Sequence, residues 1–162
     1  MTIDAWTNFF VAQCGASAAL VGLLFVSVSM NLARILSLPR LPERALLAMF
    51  LLLAVLVVAS LMLIPGQPLR ANAIEVLATG AVVFAAAATA KIRDFGRLHS
   101  EWRRYFIFDL IFLSCATLPY LIAGALLFAG AGAGFYWLAA AIMLSTAKSV
   151  SDAWVLLVEI NR

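Results

Sequence analysis

Histidine occurs once, as His99, and cysteine twice, as Cys14 and Cys115, in a chain of 162 residues. A zinc site or a redox dithiol cannot be built from these, because the thiols lack CxxC spacing and one imidazole cannot complete a coordination sphere with them. Charge is scarce as well. Asp, Glu, Lys and Arg make up 12% of the residues and hydrophobic residues 65%, against about a quarter charged and roughly half apolar in a soluble domain. With a mean hydropathy of +1.07, that balance excludes a soluble globular fold and points to a lipid bilayer. Also missing are an H-E-x-x-H motif, a glycine-rich phosphate loop and the paired aspartates of intramembrane proteolysis. Ser145 or Ser149 beside Lys148 makes a poor serine–lysine dyad, since such positions on one helix seldom aim nucleophile and base at one carbon. No metal or cofactor is expected, and a membrane-embedded enzyme ranks third, behind the two readings given below.

What the chain has is five apolar runs, at 5–31, 45–64, 73–90, 105–128 and 135–160. A helix rising about 1.5 Å per residue crosses a hydrocarbon core of about 30 Å with about 20 residues, so each run is of spanning length. The expected fold is therefore all-α, a single transmembrane domain over 1–162 built as a polytopic bundle of five helices. A signal peptide is the rival reading of the first run. Against it, no Lys or Arg precedes the run, the run is long, and Gln13 stands where a lipoprotein-type cleavage site before Cys14 wants a small residue. Pro39 and Pro42 mark 37–43 as a linker, Pro65-Gly66-Gln67-Pro68 closes the second span, and Gly130 to Gly134 is a tight hairpin. No internal repeat is evident, and five spans cannot divide into two inverted halves.

An isoelectric point near 9.2 would invite a nucleic-acid reading in a soluble protein, but here the charges cluster at span ends. Arg34, Arg40, Arg44, Lys91, Arg93, Arg97, Arg103, Arg104 and Arg162 fall on one side of the five spans, and Arg70 on the other. The positive-inside bias then sets the N-terminus outside and the C-terminus in the cytoplasm. Trp6, Tyr136 and Trp137 form an outer aromatic belt, with Trp102, Tyr105 and Trp154 near the inner one. The stretch 91–104, a loop or short surface helix with Phe95 and Trp102 among its cations, suits contact with anionic lipids. Nucleic acid is not an expected partner.

Helices in lipid associate by close approach of small residues. Ala12, Gly15, Ala19 and Gly22 recur at helical spacing in the first span, and Gln13, Ser17, Ser27 and Asn31 form a second, polar stripe at neighbouring angles, so both are expected to be buried against protein, the smooth one within the monomer or against a second subunit. Gly80, Ala81 and Ala85 to Ala88 suit the third span to a crowded central place, whereas Leu51 to Leu53, Leu56, Val57 and Val58 suit the second to lipid. Pro119 in the fourth span frees a carbonyl and implies a kink. Glu75, near the outer end of the third span, reads as an interfacial acid.

Ionisable groups inside a membrane are costly and mark candidate sites. Lys148 and Asp152 stand four apart on one face of the fifth span, with Ser145, Ser149 and Glu159 extending the stripe. Asp109, Asn31 and Ser27 should lie at similar depth on two other helices, so the five polar groups Lys148, Asp152, Asp109, Asn31 and Ser27 form the candidate ion or polar site. The bland alternative is that Lys148 snorkels to the surface and pairs with Asp152.

The run from Phe9 through Gly15 to Ser27, with Leu41-Pro42-Glu43-Arg44-Ala45 after it, resembles the opening of small bacterial integral membrane proteins of unassigned function. It covers about a third of the chain, and what it implies is a multi-pass protein of the bacterial plasma membrane. Two functions are in view. One is a small oligomeric channel-like or transport-related protein with its polar site in the cytoplasmic half. The other is a non-transporting accessory or scaffold subunit that docks a membrane-protein partner. They differ in geometry: transport needs charges lining a wet cavity or symmetry axis, whereas docking needs dry, paired charges and an outward-facing small stripe.

Overall fold

The computed structural model describes residues 3–38, 41–95 and 103–160, and every regular element among them is helical. A 3-10 turn at Ile3–Trp6 leads into α1 (Thr7–Met30), followed by α2 (Leu32–Ser37), α3 (Leu41–Leu61), α4 (Leu69–Phe95), α5 (Arg103–Phe128) and α6 (Ala133–Ile160). All but α2 are long and apolar enough to cross a membrane, which makes this a multi-pass membrane protein by length and composition.

The helix ends depart from the expected spans for local reasons. Pro42 lies in the first turn of α3, where its missing N–H would have had no partner, so it starts the helix instead of prolonging a linker. Of the charged stretch, residues 91–95 belong to α4 and 103–104 to α5; residues 96–102, with His99 and Trp102, lie outside the described residues. Arg40 and Arg162 fall there too, as does the Tyr105 side chain. Asn31 separates α1 from α2, its side-chain amide donating to the Ser27 carbonyl at 3.0 Å.

At the hairpin, α5 ends in a Schellman motif. Gly130 adopts φ +76°, and the Ala131 and Gly130 N–H groups donate to the carbonyls of Leu126 at 2.8 Å and Leu127 at 3.0 Å. Gly130→Ala forces a Cβ into the left-handed region and should cost about 1–2 kcal/mol, read as a lowered unfolding midpoint in mild detergent, while Gly132→Ala should cost less.

Helices α3, α4, α5 and α6 close a ring, each packing on the next and α6 on α3, with α1 laid along the outside of α3. This reverses two expectations. The second span is not lipid-facing: Leu51, Leu52 and Val58 of α3 are fully buried, and only Leu53 and Val57 of the named set are exposed. Side chains without polar atoms fit the middle of a bundle as well as they fit lipid, and α3 has neighbours on three sides. The third span is peripheral instead, for Gly80 and Ala87 are buried but Ala81 and Ala85 face outward.

The smooth stripe of α1 does not pack within the monomer. Ala12, Gly15, Ala19 and Gly22 are all exposed, and a Cβ added at Gly15 or Gly22 would meet nothing within 4 Å. What α1 buries is Phe10, Ser17 and Leu24, a heptad-spaced line on another face, with Ser17 donating to the Gln13 carbonyl of its own helix. The close approaches lie elsewhere. A Cβ on Gly80 of α4 would come within 2.8 Å of the Tyr120 Cβ, one on Gly124 of α5 within 2.6 Å of Leu77, and one on Gly134 of α6 within 2.7 Å of Leu127.

Candidate functional site

One end of the ring holds a continuous chain of alternating charges. Arg44 in the first turns of α3 donates from Nε to Oδ1 of Asp152 on α6 at 3.2 Å. The other oxygen of Asp152 takes Lys148, one turn earlier on the same helix. Lys148 also reaches Oδ1 of Asp109 on α5 at 2.9 Å, and Oδ2 of Asp109 takes Lys91 from the end of α4. Each of the four ring helices contributes, and the order along the chain is plus, minus, plus, minus, plus. Lys148 and Asp152 are 2% exposed; Arg44 at one terminus is about a third exposed, at 34%. Phe112 and Phe106 lie 5.9 and 5.8 Å from the ammonium groups of Lys148 and Lys91, adding cation–π attraction in low dielectric.

The pairing fits the cost of these groups. An ion taken out of water needs its counter-charge and its remaining hydrogen bonds supplied by the protein. Here the most buried cation sits between two carboxylates, and each carboxylate between two cations. Two hydroxyls from α6 tie the same region together: Ser149 donates to the Ala48 carbonyl of α3 at 2.7 Å, and Ser145 to the Ala116 carbonyl of α5 at 3.0 Å. That second bond falls in the turn opened by Pro119, through which α5 runs as one helix, with Thr117 returning to the Leu113 carbonyl. Both serines are thereby engaged with backbone, and Lys148 with carboxylates.

Of the five residues expected at this level, Lys148, Asp152 and Asp109 come together, while Asn31 and Ser27 do not. On α1, outside the ring, the Asn31 amide donates to the Ser27 carbonyl, and Ser27 lines the groove between α1 and α6 without reaching the charges. The chain instead recruits Arg44 and Lys91, which read from sequence as topology markers at span ends. A signal for them existed: two acids against one lysine in the interior leave an unbalanced carboxylate, and the nearest cations at similar depth are these two.

The opposite end holds a smaller polar pair, the Gln67 amide donating to Glu75 at 2.7 Å, and an aromatic group in which Trp6 stacks on Phe135 and meets Tyr136 edge-on. Among the described residues, no group of three His, Cys, Asp or Glu is placed to hold a metal. Two apolar cavities are present, one between α1 and α6 and one between α3 and α4, and neither is lined by an ionisable residue. Compared with known proteins, the chain matches no family model, no curated protein and no solved structure.

Proposed function

We propose that this chain is a non-transporting accessory or scaffold subunit of a membrane-protein complex in a bacterial plasma membrane, its N-terminus outside and its C-terminus in the cytoplasm. The observation that carries the reading is the pairing of its charges. Lys148 and Asp152 are buried and spent on one another and on Asp109 and Arg44, an arrangement suited to clamping helices rather than passing ions. Support comes also from the outward stripe at Ala12, Gly15, Ala19 and Gly22, which leaves α1 smooth where a partner helix can approach. The orientation rests on the excess of Lys and Arg at the charged end.

Photo-crosslinkers placed at Ala12 or Ala19 in native membranes should give a discrete adduct with a different protein, and one at the exposed Phe108 of α5 should not. Sealed vesicles containing the purified chain should pass protons, K+ or Cl− no faster than empty vesicles. A flux that Lys148→Met abolishes, or an adduct consisting of two copies of this chain, would replace the scaffold reading with the oligomeric channel. For orientation, with Cys14 and Cys115 replaced, a cysteine at Gln67 or Gly132 should be labelled from outside, and one at the C-terminus only after the membrane is opened.

A further inference from the structure

We infer that the groove between α1 and α6 at the charged end of the bundle is a phospholipid site, one acyl chain lying in the groove and the phosphodiester held by Arg34 and Arg44. The proposal rests on the membrane location and not on the accessory reading.

The groove exists because α1 packs on α3 and scarcely meets α6, while α2 turns beneath it. Leu24 and Val28 of α1, Ile35 of α2, Leu52 of α3, and Ala153 and Leu156 of α6 line a cavity of about 190 Å³. Its lips are exposed, with Leu23 at 70% and Val150 at 47%, so it opens sideways to the surroundings of the bundle. Water in such a space would find few partners, because the lining offers two hydroxyls, Ser27 and Ser149, and that of Ser149 is already given to Ala48. An empty groove forfeits dispersion contacts along its walls. A hydrocarbon chain entering from the side restores them.

Cations lie beside the groove's lining residues at its charged end: Arg44 holds Asp152, which precedes Ala153. Ile35 is flanked by Arg34, which is exposed and forms no ion pair among the described residues. Ala45, next to Arg44, packs against Ile35 and Leu156. Arg44 uses only Nε on Asp152, so its two terminal amino groups have no hydrogen bond among the described residues. Moreover, the charge chain it terminates holds three cations against two carboxylates. A planar guanidinium presents paired donors that match phosphate oxygens. Glu43 and Glu159 lie at the same end, which argues for recognition of the phosphate itself, by directed donors, over attraction of a strongly anionic headgroup.

The test is retention of lipid through purification in mild detergent, measured by native mass spectrometry and by phosphate assay of the extracted protein. The wild-type chain should keep a stoichiometric phospholipid, of either zwitterionic or anionic headgroup. Ala153→Phe, which fills the groove, should lower retention by roughly tenfold or more, and Arg34→Gln by roughly threefold, each with helical circular dichroism unchanged. If Ala153→Phe does not fold, Val150→Trp at the exposed lip supplies the same readout. Ala78→Phe, which enters the other cavity, should change nothing. Retention unaltered in both groove-filling and Arg34 variants overturns the site, as does a wild-type chain that keeps no phospholipid. So does a dimer that Ala153→Phe dissociates, which would make the occupant a second copy of the chain.

Discussion

Asp152→Asn and Asp109→Asn should each destabilise the bundle more than Lys148→Met, although no cation in the charge chain is more buried than Lys148. Removing the lysine takes out the central charge and leaves two neutral pairs, Arg44 with Asp152 and Lys91 with Asp109. Methionine fills a similar volume beside Phe112. Removing either carboxylate leaves three cations around one acid, and breaking a buried pair from one side costs about 3–5 kcal/mol. Lys148→Met should cost less than half of that. The double variant Lys148→Met/Asp152→Asn should recover part of the loss, since Lys91 keeps Asp109 and the partly exposed Arg44 can hydrate. Unfolding midpoints of the four variants in one detergent decide the matter. Equal losses for Lys148→Met and Asp152→Asn would mean that the charges act independently and that no chain exists.

The second large effect concerns the seam between α4 and α5. A methyl on Gly124 would sit 2.6 Å from the Leu77 Cγ and 3.0 Å from its backbone nitrogen, too close for a side-chain rotation alone to relieve. Overpacking of this kind costs about 1–3 kcal/mol for Gly124→Ala, and Gly80→Leu, against Tyr120, should prevent the two helices from docking. By contrast Gly15→Leu and Gly22→Leu project into open space and should change the stability of the isolated chain by no more than about 0.5 kcal/mol. The contrast separates two uses of glycine. In the ring it sets helix spacing, whereas on α1 its effect should appear only when a partner is present, as loss of the crosslinked adduct. A large loss of stability from Gly15→Leu would place α1 differently from where it lies here.

Spans were legible because length and apolarity are properties of each segment alone. Depth was legible for the same reason, which is why Lys148, Asp152 and Asp109 were found. Lateral position was not. Asn31 and Ser27 lie on α1 outside the ring, Ser27 on its groove with α6, and the first span offers two stripes, small and polar, of which only the polar one, through Ser17, reaches the buried face. Phe10, Ser17 and Leu24 form that face, yet as a line of one aromatic, one hydroxyl and one leucine they stand out less than the alanines and glycines beside them. The second span was misplaced because leucine and valine suit a bundle interior and lipid equally. Arg44 and Lys91 were passed over because cations at span ends have a sufficient explanation in topology, and their second role depends on which helices become neighbours.

The sequence positions of the paired charges also bear on how the chain is made. Lys91 and Asp109 belong to the consecutive helices α4 and α5, and Lys148 and Asp152 to α6 alone. Each of the two carboxylates in the charge chain therefore has a counter-ion from the same hairpin or the same turn, so during synthesis neither has to wait, unpaired, for a later helix. Only after α6 has entered do Lys148 and Asp109 meet and Arg44 find Asp152, joining units that were already neutral. The bundle can thus be inserted piecewise and locked when α6 arrives.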